Sequence, residues 1–329
     1  MNNLKVSVVI PAYNCEKNIS KTLNAVLNQS YGDVELIVVD DESTDNTRNL
    51  VSNFKDVKYF YQKNQGPAQA RNFGAKNATG EIVFFTDSDC VPQKDWIKNA
   101  IVHFDDKAVA VVSGSYGIAN NNNLLARCIY KEILFRHQFL MPQRSKVFGS
   151  YNFGIRRNIF EEVGGFNTSY PSASGEDNDL SYKLVELGYK IYFEPSSLVD
   201  HLHPSDFWKY LKEQFRHGFW RVKMYIEHPK MAKGDDYTFW KDIFEVPVTI
   251  LILISLFLSI FLGFSAKIYL FMAIILLCIE IFYGILMAKS PIDSFFLSVV
   301  MFFRAFSRML GFLTGFVNFC ILKRSQENK

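Results

Sequence analysis

Two aspartates separated by one residue, Thr86-Asp87-Ser88-Asp89, stand at the end of the apolar run Ile82 to Phe85. A strand projects alternate side chains to one face, so two carboxylates in this register can aim together at one cation. A hard divalent ion held by few carboxylates and completed by phosphate oxygens suits a nucleoside-diphosphate ligand. Asp-x-Asp is also frequent in solvated turns, and the tetrapeptide alone decides little. A second acidic group, Gly175-Glu176-Asp177-Asn178-Asp179, opens a helical pattern, where the helix dipole stabilises carboxylates whatever else they do. Val199-Asp200-His201-Leu202-His203-Pro204 follows an extended run and offers imidazoles, which join oxygen ligands around manganese more readily than around magnesium.

These groups need a scaffold, and the first half of the chain spells one. Val6 to Pro11, Val34 to Asp40, Val57 to Tyr61, Glu81 to Thr86 and Val109 to Ser113 read as strands. Between them, Glu16 to Gln29, Thr44 to Phe54, Pro67 to Asn77 and Lys94 to Phe104 read as helices, with Pro67 at a first helical position and Asp45 and Asn46 as caps. The alternation predicts an α/β domain on a largely parallel sheet, whose ligands sit beyond the carboxyl ends of the strands. From Asn120 to Gly149 the pattern loosens. Short elements resume from Tyr151 to Glu194, with a helix from Glu176 to Leu187 closed by Gly188.

The C-terminal third is different. No charge occurs from Val246 to Ala266, and Glu280 is the only one from Ile268 to Ala288, so both stretches are long enough to cross a hydrocarbon layer. Phe295 to Leu322 is also apolar but carries Arg304 and Arg308 on one helical face, and this predicts an interfacial helix, with a full third span whose arginines face the other helices or a lipid headgroup as the alternative. Ahead of the spans, Asp206 to Ile226 places Trp208, Leu211, Phe215, Val222 and Ile226 on a stripe among lysines and arginines, as in a helix lying on a membrane surface. Eight basic residues against five acidic ones between Pro204 and Lys241, with Lys289, Arg304, Arg308, Lys323 and Arg324 after the second span, predict a cytoplasmic catalytic side. A net charge of +3 among 329 residues is too small for a nucleic-acid binder. Five cysteines without framework or zinc spacing point to a reducing compartment, and the N-terminus shows no signal-peptide pattern.

Four motifs arrive in order, each in strand-loop-helix context: Ser7 to Asn14, Val38 to Asp45, Gly66 to Gly74, then Asp87-Ser88-Asp89. Together they resemble family-2 glycosyltransferases of the GT-A fold, over roughly residues 5–220. The resemblance implies a Rossmann-like nucleotide-sugar-binding domain at 1–203, while the charge and hydropathy patterns give an amphipathic juxtamembrane region at 204–241 and a membrane region at 242–329. It implies that Pro11 and Tyr13 wall the base pocket, that Asp41 with Asp40 accepts from the base, and that Arg71 approaches the base or diphosphate. Asp87 and Ser88 would meet the donor, and Asp89 with His201 a manganese or magnesium ion. Asp177 would be the catalytic base of an inverting transfer, with Glu176 near the acceptor. Where the family usually has Gly, this chain has Glu42; the Gln-x-x-Arg-Trp motif of processive synthases is absent from Gln214 to Gly218.

The expectation is therefore a multi-pass cell-membrane enzyme with its catalytic domain in the cytoplasm. Its donor would be a nucleotide sugar, UDP-linked in preference to GDP-linked, and its acceptor a lipid-linked sugar or glycan in cell-surface assembly. A polyprenyl-phosphate sugar synthase and a non-catalytic membrane scaffold are the alternatives; intact Asp87, Asp89 and Asp177 speak against the scaffold.

Overall fold

Val8 and Ile10 pack on one side of the first strand and Val9 on the other, and all three are fully buried. The same alternation recurs at Ile82, Phe84 and Val83, Phe85, so the sheet carries a core on each face. The computed structural model describes residues 4–171, 175–263 and 265–322. Its strands are β1 (Val6–Ala12), β2 (Val34–Asp40), β3 (Val57–Tyr61), β4 (Ile82–Thr86), β5 (Cys90–Pro92), β6 (Val109–Ile118), β7 (Arg144–Ser145), β8 (Asn152–Arg156) and β9 (Lys190–His201). Its α-helices are α1 (Ile19–Leu27), α2 (Thr47–Ser52), α3 (Pro67–Lys76), α4 (Trp96–Ile101), α5 (Leu124–Phe139), α6 (Arg157–Glu162), α7 (Glu176–Glu186), α8 (Phe207–Glu227), α9 (Trp240–Leu262), α10 (Lys267–Ala288) and α11 (Pro291–Phe316). The chain divides into two units, residues 1–119 with 141–202 and residues 120–140 with 203–329.

In the first unit the sheet runs β3-β2-β1-β4-β8-β6-β9-β5, with β7 on β9. β3, β2, β1 and β4 are parallel, and β8 enters antiparallel between β4 and β6. The expected strands are all present. α3 starts at Pro67 as expected, whereas α1 and α2 start later than the sequence pattern suggests, because the residues before them form turns that brace one another. Asn46 N–H donates to Glu16 Oε2 at 2.9 Å, and Glu16 N–H donates to Asp45 Oδ2 at 3.1 Å. Asp45 does cap, accepting from Thr47 N–H at 3.0 Å, whereas the Asn46 side chain accepts from Asn49 instead.

The second unit is helical and includes α5, which falls where the sequence pattern loosens. Among the described residues, three helices are long and apolar enough to cross a membrane: Trp240–Leu262, Lys267–Ala288 and Pro291–Leu322. The third meets the same criteria of length and composition as the first two, which fits the alternative of a full third span. Its arginines are paired within the unit. Arg304, 2% exposed, donates to Glu132 of α5 at 2.6 Å, and Arg308 donates to Gln214 of α8 at 2.8 Å. Lys241 likewise holds Glu280, at 3.0 Å, and Glu245. Pairing offsets the cost of burying these charges. α8 spans the expected residues but buries Tyr210, Gln214, Gly218 and Val222, while Trp208 and Ile226 are exposed. It lies so close to α11 that a Cβ at Gly218 would stand 2.1 Å from the Arg308 carbonyl oxygen, and one at Gly311 2.0 Å from that of Phe215.

Candidate active site

β4 ends at Thr86, and residues 87–89 form a turn closed by a Cys90 N–H donation to the Asp87 carbonyl at 3.1 Å. Thr22 of α1 donates to the Ser88 carbonyl at 3.0 Å and pins that turn. Strand alternation therefore does not aim the two aspartates; the turn does, and it sends them to different partners. Asp87 Oδ1 accepts from Arg71 Nη2 at 2.6 Å. Asp89 Oδ1 lies 3.7 Å from His201 Nε2 and 3.9 Å from Cys90 Sγ. The antiparallel pairing of β5 with β9 sets Cys90 opposite His201, which explains how residues so distant in sequence converge. Asp89, Cys90 and His201 present one donor atom each within 4.8 Å of one another, and a carboxylate with an imidazole fits a divalent cation. Burial raises the Asp89 carboxyl above its usual range, against the pull of His201. His203 belongs to the helical unit, where its backbone exchanges hydrogen bonds with the Asn120 side chain.

Arg71, on α3, is 2% exposed and carries the site's longest connection. Its Nη1 donates to Glu176 Oε1 at 3.2 Å while Nη2 holds Asp87. Burial works to discharge this guanidinium, yet Asp87 and Glu176 outweigh burial and raise its pKa. Its charge is thus spent on two protein carboxylates. Glu176 is buried at the first position of α7, so the pair ties that helix to the Asp87 turn. Asp177 is half-buried, accepting from Asn178 N–H at 2.8 Å and from Ser150 N–H at 3.3 Å. Its carboxyl is pushed up to about 7, by burial first and by the Glu176 carboxylate second, with Arg71 pulling it down. That is the range in which a carboxylate acts as a base near neutrality. Asp179 is buried and lies 3.3 Å from Lys183.

On the far side of β1, Tyr13 is 53% exposed and Pro11 half-buried, leaving a ring free to stack. Asp40 is buried and accepts from Tyr59 at 2.7 Å and Ser43 N–H at 2.8 Å. Asp41 accepts from Gln62 at 2.7 Å and from the N–H groups of Gln65 and Gly66, both at 2.9 Å. A carboxylate offers about four lone-pair sites, so three bonds leave Asp41 one for a ligand. Gly66 takes φ +88° to present that N–H, and its absent Cβ would stand 2.7 Å from the Pro171 carbonyl oxygen. Glu42 itself takes φ +69°, the left-handed conformation that explains glycine at this turn elsewhere in the resembled family. Its carboxylate accepts from Asn64 N–H at 3.2 Å.

Residues 7–164 match the model of glycosyl transferase family 2. The chain carries a family 2 glycosyltransferase domain. It is 29% identical over 229 residues to glycosyltransferase AglE of Haloferax volcanii, covering 67% of this chain and 74% of that protein. Over 132 residues it is 35% identical to the UDP-Glc:alpha-D-GlcNAc-diphosphoundecaprenol beta-1,3-glucosyltransferase WfgD of Escherichia coli, covering 39% of this chain and 52% of that one. The mannosyltransferase PcManGT from Pyrobaculum calidifontis, solved with GDP-Man and Mn2+, superposes with a TM-score of 0.58 at 21% identity, over 93% of this chain and 87% of its own. The fold is GT-A, followed by C-terminal helices that could span a membrane. The glycosyltransferase domain thus holds the Asp87 turn, Arg71 and the β1 and β2 ends; Asp177 and His201 lie beyond the matched segment.

Proposed function

We propose that this protein is a membrane-attached, metal-dependent inverting glycosyltransferase that moves a sugar from a nucleotide-diphosphate donor, UDP-linked in preference to GDP-linked, to a lipid-linked acceptor. The observation that carries the reading is the connection Asp87–Arg71–Glu176, which joins the donor-side turn to the helix bearing Asp177. In that arrangement Tyr13 stacks on the base and the remaining lone pair of Asp41 accepts from it. Asp89 and His201 would hold the divalent cation, which when bound offsets the charge that builds on the departing diphosphate. Asp177 takes the proton of the acceptor hydroxyl as that oxygen attacks the anomeric carbon from the face opposite the diphosphate. Arg71 is a positioning residue, since its guanidinium fixes the carboxylates of Asp87 and Glu176.

The donor preference and the acceptor are supported by the relative whose name specifies UDP-glucose and a diphosphoundecaprenol-linked sugar. Three helices of membrane-spanning length and composition support an acceptor that resides in a bilayer, and the excess of basic over acidic residues between Pro204 and Lys241 supports a cytoplasmic catalytic domain. A donor screen on membrane-embedded protein, with and without manganese and read as released nucleoside diphosphate, tests the reading. Manganese-dependent release from a UDP-sugar, stimulated by polyprenyl-linked acceptor, is expected. Equal transfer to a soluble sugar after lipid removal would overturn the acceptor assignment.

A further inference from the structure

The cation site proposed above uses an oxygen and a nitrogen, yet a sulfur stands with them. Cys90 Sγ lies 3.9 Å from Asp89 Oδ1, His201 Nε2 lies 3.7 Å from the same oxygen, and no two of the three donors are more than 4.8 Å apart. Two observations make this more than a chance neighbour. The ladder register sets Cys90 directly opposite His201, and the turn bonded from Cys90 N–H to the Asp87 carbonyl holds the Asp89 backbone beside them. A tetrahedral ion with bonds of about 2.0–2.3 Å needs donors about 3.5 Å apart. Two of the three separations are within a few tenths of an ångström of that, and Asp89, 41% exposed, has room to close the rest. Hard ions such as manganese and magnesium gain little from a thiol, whereas zinc and cadmium bind thiolate strongly. The thiol therefore adds nothing to catalysis by a hard ion, but it changes which other ions compete for the place.

We propose that Asp89, Cys90 and His201 form a binding site for a thiophilic divalent cation, and that its occupation excludes the hard ion and silences the enzyme. This rests on the metal-dependent reading above. On binding, the Cys90 S–H bond breaks, its proton passes to solvent and a sulfur–metal bond forms, with no change of oxidation state. The occupant belongs to the class of zinc, cadmium and similar ions, and the site gives a cell's free zinc a direct hold on transfer.

The test uses the full chain in lipid nanodiscs, freed of metal and titrated with cadmium while the ultraviolet thiolate-to-cadmium charge-transfer band is followed. The parent is expected to show a band saturating at one equivalent that Cys90→Ser and Cys90→Ala both lose, and His201→Ala is expected to weaken the binding at least about 10-fold. An undiminished band in the Cys90 variants, or no band in the parent, overturns the proposal. X-ray absorption at the zinc edge needs no variant: one sulfur at about 2.3 Å in the parent supports the site, and a shell of oxygen and nitrogen only sinks it. In manganese-supported assays, with each protein normalised to its own zinc-free rate, zinc should inhibit the parent at concentrations about 10-fold below those needed for Cys90→Ser. Equal sensitivity would contradict the exclusion. The spectroscopic arms need no turnover, so a failure to find any donor leaves them standing, and their failure in an active enzyme removes only the sulfur.

Discussion

Replacing Arg71 by methionine keeps the length of its buried stem and removes the charge that joins Asp87 to Glu176. Asp87, 29% exposed, can turn to water, but the Glu176 side chain, 1% exposed, cannot. Removing the counter-charge of a buried carboxylate costs about 3–5 kcal/mol, less what the Gly175 N–H bond to Glu176 retains. For a unit of this size that corresponds to a fall in Tm of roughly 10 °C. Glu176→Gln removes the stranded charge, so the double variant should recover at least about 1 kcal/mol relative to the sum of the single changes. Differential scanning calorimetry of the four proteins in nanodiscs measures that coupling. Activity supplies a readout that mere destabilisation would not give. Arg71 pulls the Asp177 carboxyl down, so its loss must raise that pKa further and move the acid limb of the rate profile to higher pH. Additive stabilities within about 0.5 kcal/mol, or an unmoved acid limb, would refute the reasoning.

Three further outcomes follow from the same geometry. Because the Asp177 carboxyl is raised to about 7, it is protonated and useless as a base below that pH; log rate should fall by about one per pH unit under about 7 and level above it, in a stopped nucleoside-diphosphate assay. Glu42 holds φ +69°, so Glu42→Gly should be neutral within about 1 kcal/mol in chemical denaturation, left-handed strain relieved offsetting entropy and the bond to Asn64. Glu42→Val, β-branched at the same φ, should lose about 1–2 kcal/mol or more. Arg304→Met removes one of the two arginines that hold Glu132, leaving Arg136 on it at 2.7 Å, and should cost about 1.5–3 kcal/mol in thermal unfolding of the nanodisc-embedded chain, with the Arg304→Met/Glu132→Gln double change departing from additivity by at least about 0.5 kcal/mol.

The strands were legible because β-branched runs bounded by turn residues have few other ways to fold, and β1 to β4 lie where the alternation puts them. Helix α5 was not, because its buried positions include Glu132, Arg136 and His137 beside Leu125 and Ile129, which breaks any apolar period. Much the same hid the packed face of α8, where Gln214 and Gly218 are the inward residues and Trp208 is outward. Motif order brought Tyr13, Asp41, Asp87, Asp89, Asp177 and His201 into view. What it could not give was their wiring: Arg71 and Glu176 stand 105 positions apart, and only folding brings them to 3.2 Å. Cys90 carries no signal in the sequence, since metal-site spacing shows among several cysteines and histidines close together, while here the residue after Asp89 pairs across strands with His201.

The role given to Asp177 is tested most directly by single-turnover transfer from a saturating UDP-sugar to a polyprenyl-linked acceptor, parent against Asp177→Asn. A neutral amide of the same shape can still accept one of the two backbone N–H bonds, from Asn178 or from Ser150, but cannot take the hydroxyl proton. The variant should bind nucleotide as tightly as the parent and transfer about 10²–10⁴-fold more slowly. Transfer at the parental rate would contradict the assignment of the base and, with it, the mechanism.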